Sequence, residues 1–586
     1  MKKQILLLFL WCCTTLAGQD ASEISLAQIF NATRVNSDIE LQLLNRRCKE
    51  LDLALFFRRI DNSNEIEACI EFRGNILTIP RDLLQTIYIH LNSIDSYSIS
   101  TAKVRVYDKN NLISNEEVVT TNARLQKCHD ALEKVLGQKF NAGATPRIAI
   151  CGSGGGLRAA ISTAGLLKAF DEDGIFDAIL YQAGVSGSTW TIAPYTLSDK
   201  DHFKDFHPLL LDRIVNGFMK KGPKEMFDDI QEALPTIAEL MIRKLIFKDL
   251  PTLIDIYGFV LGETLLIEQD SNLHTGMHTM QKFVAQGQRP YPLLTAIVPH
   301  DDGTNYDWFT FSPHEVACDD YISGVPSWAF GRYFEKGAST NRAPHHPISF
   351  CLGVWGSAFS LSFYEFYMLT LQHLEPKSVF GPLLKELSQP SQFGDFRIFP
   401  AIVRNFTYKM PNLPRSEFQM NTLVDAGISI NLPMPPLLNP GRKVDIIIVC
   451  DASGDVLGAQ QLYFAQKYAI NHNLPFPAID YNGISNRPFS VFDDGPGSPA
   501  PIIIYVPMVK NPNYSTTFDP QDHLQKGFLN SGNFDYSLDQ AHLLSGLLET
   551  AAHELKPTLL NVLKTVIQRK SKSAMFTQIK IGREFA

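Results

Sequence analysis

Two glycine-rich turns follow short apolar runs in the first half of the chain. Residues 152–156 read GSGGG and lead into a helical pattern, whereas residues 184–188 read GVSGS. Ser186 is flanked by glycines, as in the G-x-S-x-G motif, which holds a serine hydroxyl on a strained strand-to-helix turn where it can act as a nucleophile. The glycines of the first turn can present backbone N–H groups to a developing oxyanion. Together the two turns predict an acyl-transfer site.

The same glycines could instead serve a nucleotide. A dinucleotide fingerprint would need glycine at position 157, where the chain has Leu157, and a P-loop would need a Gly-Lys-Ser/Thr ending that is absent from this turn. The chain has 53 basic and 61 acidic residues, a net charge of −8, and shows no basic face of the size that nucleic acid requires. We therefore expect neither a nucleotide cofactor nor a nucleic-acid partner.

A serine nucleophile needs a base that accepts its proton. Asp425 lies in residues 423–427 (LVDAG), where an apolar run leads into an acid and then small residues. A partly desolvated carboxylate within hydrogen-bond reach can take the proton directly. One alternative is that Asp425 is an ordinary aspartate in a turn. A second is a catalytic triad in the order Ser–Asp/Glu–His, in which the base would be a histidine late in the chain. The late histidines are His472, His523, His542 and His553.

The elements that must position these residues are indicated by near-continuous apolar runs, typical of strands buried on both faces. Helical patterns lie between and after them, as at 458–470 and 538–568. This alternation predicts an α/β fold with a mostly parallel central sheet flanked by helices. We expect a catalytic unit at 115–570 and a basic tail at 571–586. The apolar runs are residues 147–151, 178–183, 292–298, 444–450 and 501–506.

The chain before residue 115 divides into two predicted parts. Two lysines, an apolar run at 5–11 and small residues at 15–18 have the layout of a cleavable signal peptide, predicted at 1–18. This layout predicts export, with the mature protein secreted or peripheral on a membrane surface. Residues 19–114 carry no functional motif and are predicted as a small accessory region, with a strand at the alternating residues 86–91.

Three longer stretches are similar to a known family. They read GSGGGLRA (152–159), AGVSGSTW (183–190) and DAGISINLPMPPLL (425–438). On these residues the chain resembles the catalytic domain of the cytosolic phospholipase A2 family, related to patatin and to fungal secreted lysophospholipases. The resemblance covers roughly residues 115–570 in one order. Supporting stretches are YGFVLGET (257–264), WFTFSPHEV (308–316), PSWAFG (326–331) and WGSAF (355–359).

The resemblance implies a Ser–Asp dyad without histidine, in which Ser186 is the nucleophile and Asp425 its base. It also implies groups that stabilise negative charge. These are Gly155 and Gly156 as oxyanion donors, and Arg158 and Arg442 as cations at the substrate phosphate. It further implies a helical cap or lid region, which we place at the aromatic-rich residues 361–371, with core packing as the alternative. The calcium-dependent C2 domain of several members is not evident, because residues 20–112 lack its spaced aspartate loops.

The implied activity is release of fatty acid from glycerophospholipids through an acyl-enzyme, without a metal or organic cofactor. The expected partner is a phospholipid or lysophospholipid substrate at a membrane surface. A lysophospholipase or acyltransferase would use the same dyad with a different pocket. A non-catalytic lipid-binding protein on this fold is the alternative outside enzymology.

Overall fold

The structure, a computed structural model, describes most of the chain. The predicted signal segment 1–18 and the predicted lid segment 361–371 lie outside the described residues, and the lid stays a prediction. The described residues are 24–61, 63–72, 74–93, 101–108, 112–217, 236–266, 275–300, 302, 305–359 and 400–584, with side chains as far as 572.

The N-terminal part contains a small sheet of its own. The middle strand, β2, pairs antiparallel with β1 on one side and with β3 on the other. The elements of this part are α1 (Leu26–Phe30), α2 (Asp38–Glu50), β1 (Leu55–Arg59), β2 (Ile66–Phe72), β3 (Asn75–Ile79) and α3 (Arg81–Ser93).

The strand predicted at 86–91 is wrong, because these residues belong to the helix α3. The alternation of apolar and polar residues there is short. The buried positions Leu84, Ile87 and Leu91 recur instead at helical spacing. This spacing puts their side chains on one face of a helix, and that face packs into the core.

The central unit alternates strands with helices in its first half. Ser114 caps α4 by accepting the Glu117 N–H, so a helix begins at Asn115. The elements are β4 (Arg105–Val106), α4 (Asn115–Leu136), β5 (Ile148–Gly152), α5 (Leu157–Glu172), β6 (Ile179–Gly184), α6 (Thr189–Leu197), α7 (Phe203–Asn216), α8 (236–246) and α9 (Leu253–Leu265).

Its second half adds antiparallel strands before returning to the strand–helix alternation. The first elements are α10 (Gln281–Val284), β7 (Tyr291–Pro299), β8 (Tyr306–Phe311), β9 (Glu315–Cys318), β10 (Ser323–Pro326), β11 (Phe334–Glu335), β12 (Ala338–Ser339) and α11 (Ile348–Trp355). The remaining elements are β13 (Ala401–Arg404), β14 (Met420–Asp425), α12 (Met434–Leu438), β15 (Ile446–Asp451), α13 (Gln460–Asn471), β16 (Ser490–Phe492), β17 (Ile502–Pro507) and α14 (Leu538–Glu584).

The central sheet has the strand order β16-β17-β15-β5-β6-β7-β8-β9-β10-β4, with β13 and β14 off this path. Its five middle strands, β17, β15, β5, β6 and β7, run parallel. They are buried along nearly their whole length, because helices cover both faces. The helices α5, α9, α11 and α14 pack over one face in one hydrophobic cluster, and α12 and α13 pack over the other face in a second cluster. The predicted α/β class with a mostly parallel central sheet is confirmed.

The strand β14 sets the geometry of the site. The strand β6 pairs with β7 only as far as Leu294, while β8 pairs along the other side of β7 from Leu294 to Pro299. The strand β14 then pairs antiparallel with β7 at Ala296 and Ile297. The strand β14 therefore pairs with β7 on the same side as β6, beyond the point where β6 ends. As a result, the carboxyl ends of β6 and β14 face each other.

Among the helices of the described residues, none is long and apolar enough to cross a membrane.

Candidate active site

Ser186 lies in a tight turn between β6 and α6, as the sequence predicts. Its φ is +50°, in the left-handed region that side-chain-bearing residues rarely adopt, and its side chain is 2% exposed. Ser188, at the position of the last glycine of the motif, holds the turn: its hydroxyl donates to Gly152 O (2.7 Å) and accepts the Val185 N–H (3.0 Å). The strained conformation is thus stabilised by hydrogen bonds to the last residue of β5 and to the residue that follows β6.

The two glycine turns contact each other through their backbones. A Cβ added at Gly187 would lie 2.0 Å from Gly156 O, and one added at Gly154 would lie 2.9 Å from the Ser186 Cβ. Neither position can therefore carry a side chain without moving the other turn. Gly154 and Gly187 are needed because the two turns pack directly against each other.

Gly155 and Gly156 form the open part of the first turn. Both have positive φ values, +136° and +62°. Neither N–H donates to an acceptor in the described part of the chain. Gly156 is also the N-cap residue of α5, whose first turn has no side-chain cap, so the positive end of the helix dipole faces the same space. The turn can accept an anionic oxygen.

Asp425 ends β14 and is completely buried. Burial raises the pKa of its carboxyl group to about 6, while hydrogen bonding from Gly427, Ser186 and Ala358 opposes this rise. The Gly427 N–H donates to Oδ1 (2.8 Å), and the Ala358 N–H donates to Oδ2 (3.4 Å). The carboxyl group is therefore oriented from two sides and is more basic than an exposed aspartate.

Ser186 and Asp425 adjoin each other. The Ser186 hydroxyl acts on the pKa of the Asp425 carboxyl group, yet Ser186 Oγ has no partner at ordinary hydrogen-bond geometry among the residues that the structure describes. The two groups are neighbours, without a hydrogen bond of ordinary geometry between them. Catalytic hydrogen bonds are often long without substrate. None of the described histidines is hydrogen-bonded to Ser186.

Arg158 lies beside the first turn, one helical residue into α5. Its Nε donates to Ala452 O (2.7 Å) and its Nη1 to Leu529 O. Its Nη2 lies next to Gly155, where an added Cβ would be 2.7 Å from it. The guanidinium is 2% exposed, and burial lowers its pKa. The structure thus brings Arg158 to the site.

Arg442 does not join the site, and the prediction of a phosphate contact for it needs correction. It lies before β15, at the amino ends of the parallel strands, whereas Ser186 follows the carboxyl end of β6. Its guanidinium is buried and forms two hydrogen bonds to Glu117 (2.7 and 3.0 Å) and a third to Pro436 O. Burial disfavours the charged guanidinium, but the attraction of Glu117 outweighs this effect and raises the pKa of Arg442 above its usual value. Its donors are committed to a structural ion pair.

Two residues that hold the site were missed by sequence reasoning. The Asn431 side chain donates to Gly154 O (3.1 Å) and to Ser453 Oγ (3.0 Å), and Asn431 O accepts the Gly154 N–H. Ser357 accepts the backbone N–H of Asp425 (2.9 Å). Both residues lie within stretches that resemble the family, 425–438 and 355–359, which was the available signal.

The chain is similar to known proteins over much of its length. The profile of the lysophospholipase catalytic domain matches residues 148–461. The chain is 27% identical to human cytosolic phospholipase A2 zeta over 70% of its own length and 54% of that protein, and 28% identical to the mouse protein over 68% and 53%. The chain thus spans about half the length of these relatives.

Solved structures show the same fold. The human GIVD cytosolic phospholipase A2 superposes with a TM-score of 0.65 at 19% identity, covering 87% of this chain and 73% of that chain. The same human protein in complex with methyl gamma-linolenyl fluorophosphonate superposes with a TM-score of 0.60 at 20% identity, covering 89% and 70%.

The comparisons correct one prediction and establish the family. Export through a signal peptide, with a secreted product, is contradicted, because the matching relatives are cytosolic phospholipases A2. An apolar segment after two lysines was not enough to predict export. The profile match covers more than half of the chain, and the resemblance seen in the glycine turns and the aspartate stretch is confirmed. The chain belongs to the family of the lysophospholipase catalytic domain.

Proposed function

We propose that the chain is a serine acyl hydrolase that releases fatty acid from glycerophospholipids through a Ser–Asp dyad and an acyl-enzyme. One observation carries this proposal: a fully buried Asp425 carboxyl group adjoins a strained, buried Ser186 beside the open N–H groups of a glycine turn. Family membership and the shared fold support phospholipid as the substrate class.

In the acylation step, Ser186 Oγ attacks the ester carbonyl carbon while its proton passes to the Asp425 carboxylate. The negative charge on the carbonyl oxygen is stabilised by the N–H groups of Gly155 and Gly156 and by the helix dipole of α5. The carbon–oxygen bond to the glycerol then breaks. Asp425 returns the proton to the departing alkoxide, leaving an ester of the acyl group with Ser186.

In the deacylation step, water takes the place of the serine hydroxyl. Asp425 accepts a proton from this water as its oxygen attacks the acyl carbonyl, and Ser186 leaves with the proton that Asp425 returns. A pKa near 6 suits both roles, because the carboxyl group is mostly ionised at neutral pH and yet more basic than an exposed aspartate. The same N–H groups stabilise the second oxyanion.

Arg158 is proposed to bind the substrate phosphate. Its guanidinium has no carboxylate within ion-pair distance in the part of the chain that the structure describes, although it is buried. Two of its nitrogens are fixed by backbone carbonyls, which directs Nη2 towards the first turn. A planar fork held in this way matches phosphate oxygens.

The experiment uses one phosphatidylcholine with different acyl chains at its two positions, in mixed vesicles, and identifies the products by mass spectrometry. We expect the wild-type protein to release fatty acid, and both Ser186→Ala and Asp425→Asn to release none above background. Ser312→Ala is the matched control, since it removes another buried serine hydroxyl, in the turn between β8 and β9.

Three outcomes separate the alternatives. Fatty-acid release that persists in Ser186→Ala would refute the dyad. Transfer of the acyl group to added glycerol would identify an acyltransferase. Vesicle binding without any product from the wild-type protein would identify a non-catalytic lipid-binding protein.

A further inference from the structure

The stretch WGSAF at 355–359 resembles the family but has no role in the proposed mechanism. It ends α11 and continues as a turn formed by Gly356, Ser357 and Ala358, which we call the base-holding turn. Ser357 is completely buried, and its Oγ accepts the backbone N–H of Asp425 at 2.9 Å. The Ala358 N–H donates to Asp425 Oδ2 at 3.4 Å. Two consecutive residues thus contact the backbone and the carboxyl group of one aspartate.

We propose that Ser357 is a positioning residue for the reaction: it sets the place of the Asp425 carboxyl group relative to Ser186. The inference rests on the proposed Ser–Asp function and adds a residue to it. Ser357 does not contact the substrate in this account. It acts through the backbone of Asp425, at the point where β14 ends.

The end of β14 needs such a contact. The register of β14 with β7 stops at Asp425 opposite Ala296, and β13 pairs no further than Leu423. The Asp425 N–H is buried, and Ser357 supplies its acceptor. A buried N–H that loses its acceptor favours any backbone shift that finds another one. A shift of about 1 Å in a catalytic group can cost on the order of a hundredfold in rate.

The base-holding turn and the end of α11 contact α9 and α6, the helix that follows the nucleophile turn. Gly356 O accepts the hydroxyl of Tyr257 in α9 (3.3 Å), and Leu352 O accepts the indole N–H of Trp190 (3.4 Å). A Cβ added at Gly356 would lie 2.4 Å from the Trp190 ring. Trp190 belongs to α6, the helix that begins three residues after Ser186. The turn therefore joins the nucleophile helix to the base.

The test compares Ser357→Ala, Ser357→Thr and Ser357→Cys with the Ser312→Ala control in the full-length chain. Ser312 is also a buried serine whose Oγ accepts a backbone N–H, that of Glu315 at 3.0 Å. The measurements are kcat and KM for a soluble short-chain ester, the pH profile of kcat/KM, the thermal midpoint, and the rate at which methyl gamma-linolenyl fluorophosphonate labels Ser186.

We expect Ser357→Ala to lower kcat by ten- to a hundredfold, with KM changed less than about twofold. The acid limb of the pH profile moves to higher pH, because the contact of the Ala358 N–H with Oδ2 loosens. The labelling rate falls in parallel with kcat. Ser357→Thr keeps the hydroxyl and restores most of kcat, while Ser357→Cys, a weaker acceptor of similar size, gives an intermediate value. Ser312→Ala keeps the wild-type kcat and pH profile.

The proposal is overturned if Ser357→Ala or Ser357→Cys lowers the thermal midpoint but keeps the wild-type kcat and acid limb. It is also overturned if Ser312→Ala lowers kcat equally. Ser357→Cys decides the matter if the alanine variant does not fold. A failure of the dyad itself is recognised separately, because Ser186→Ala would then still release fatty acid.

Discussion

In the proposed mechanism, Asp425 serves as a base although it is completely buried in the structure. Burial raises its pKa to about 6, and the N–H groups of Gly427 and Ala358 keep the rise moderate. A buried carboxylate without these donors would have a higher pKa, and a carboxylate in water would have a lower pKa and be a weaker base. The basicity of the Asp425 carboxyl group thus depends on the neighbouring backbone N–H groups as well as on the residue type.

The pH dependence of activity follows from this pKa. The ionised carboxylate is the active form of the base, so kcat/KM falls as the pH drops through about 6, approaching a tenfold loss per unit below it. A pH–rate profile from 4 to 9 on a neutral soluble ester checks this limb. An unchanged rate at pH 4.5 would exclude Asp425 as the base.

Arg158 is expected to discriminate between substrates. Replacing it with Gln removes the buried cation beside Gly155, so kcat/KM for a phospholipid should fall by about ten- to a hundredfold, as loss of a charge-assisted contact predicts. Hydrolysis of an ester without phosphate should fall much less. Equal losses on both substrates would assign Arg158 to the support of the glycine turn and not to the phosphate.

At the scale of elements, the buried strands were predictable, because a short apolar run that ends in a turn fits few structures other than a buried strand. The predicted runs 147–151 and 501–506 differ from β5 and β17 by only one residue at their ends. The antiparallel strands β8 to β10 and the hairpin of β13 and β14 were not predicted, since sequence periodicity does not tell which strands pair. The strand wrongly predicted at 86–91 has a related cause: this stretch is too short to distinguish the period of a strand from that of a helix.

The contact between the two glycine turns can be tested by one methyl group. Gly187→Ala places its Cβ against Gly156 O, so we expect a loss of kcat of at least a hundredfold or a large drop in the thermal midpoint. Gly458→Ala is the matched control, because no atom lies within 4 Å of the added Cβ and the residue has no positive φ. The control should keep activity, with stability unchanged or slightly raised.

At the scale of the whole molecule, the residues before 114, which supply β4 to the central sheet, are joined to the rest of the central unit. The strand β4 extends the central sheet through β10, and Arg105 donates twice to Glu315 (2.7 and 2.6 Å). Ala54 also donates its N–H to Ile246 O in α8. Their apolar side chains belong to one continuous core. The accessory region predicted at 19–114 is therefore expected to contribute to the stability of the catalytic unit.

The ion pair of Glu117 and Arg442 shows why one predicted site residue was misplaced. Family resemblance assigns a role to Arg442 from its position in the sequence alone. In the structure, its guanidinium instead forms an ion pair with Glu117, which lies far away in the chain. Glu117→Gln leaves Arg442 buried without its partner, so we expect the free energy of unfolding to fall by about 3 kcal/mol, with kcat unchanged. Urea denaturation and assays of the folded protein measure both. A loss of kcat without loss of stability would return Arg442 to the site.

The proposed nucleophile lies in the turn between β6 and α6, whereas the proposed base lies on a separate hairpin, far away in the chain. The strand β14 therefore reaches the end of β6 only through pairing between distant parts of the chain. Local segments can form the serine turn early in refolding, but the aspartate must wait for non-local pairing, which is slow. Recovery of ester cleavage should consequently lag behind recovery of the helical circular dichroism signal. Enzymatic turnover would then report the final docking of this hairpin during folding.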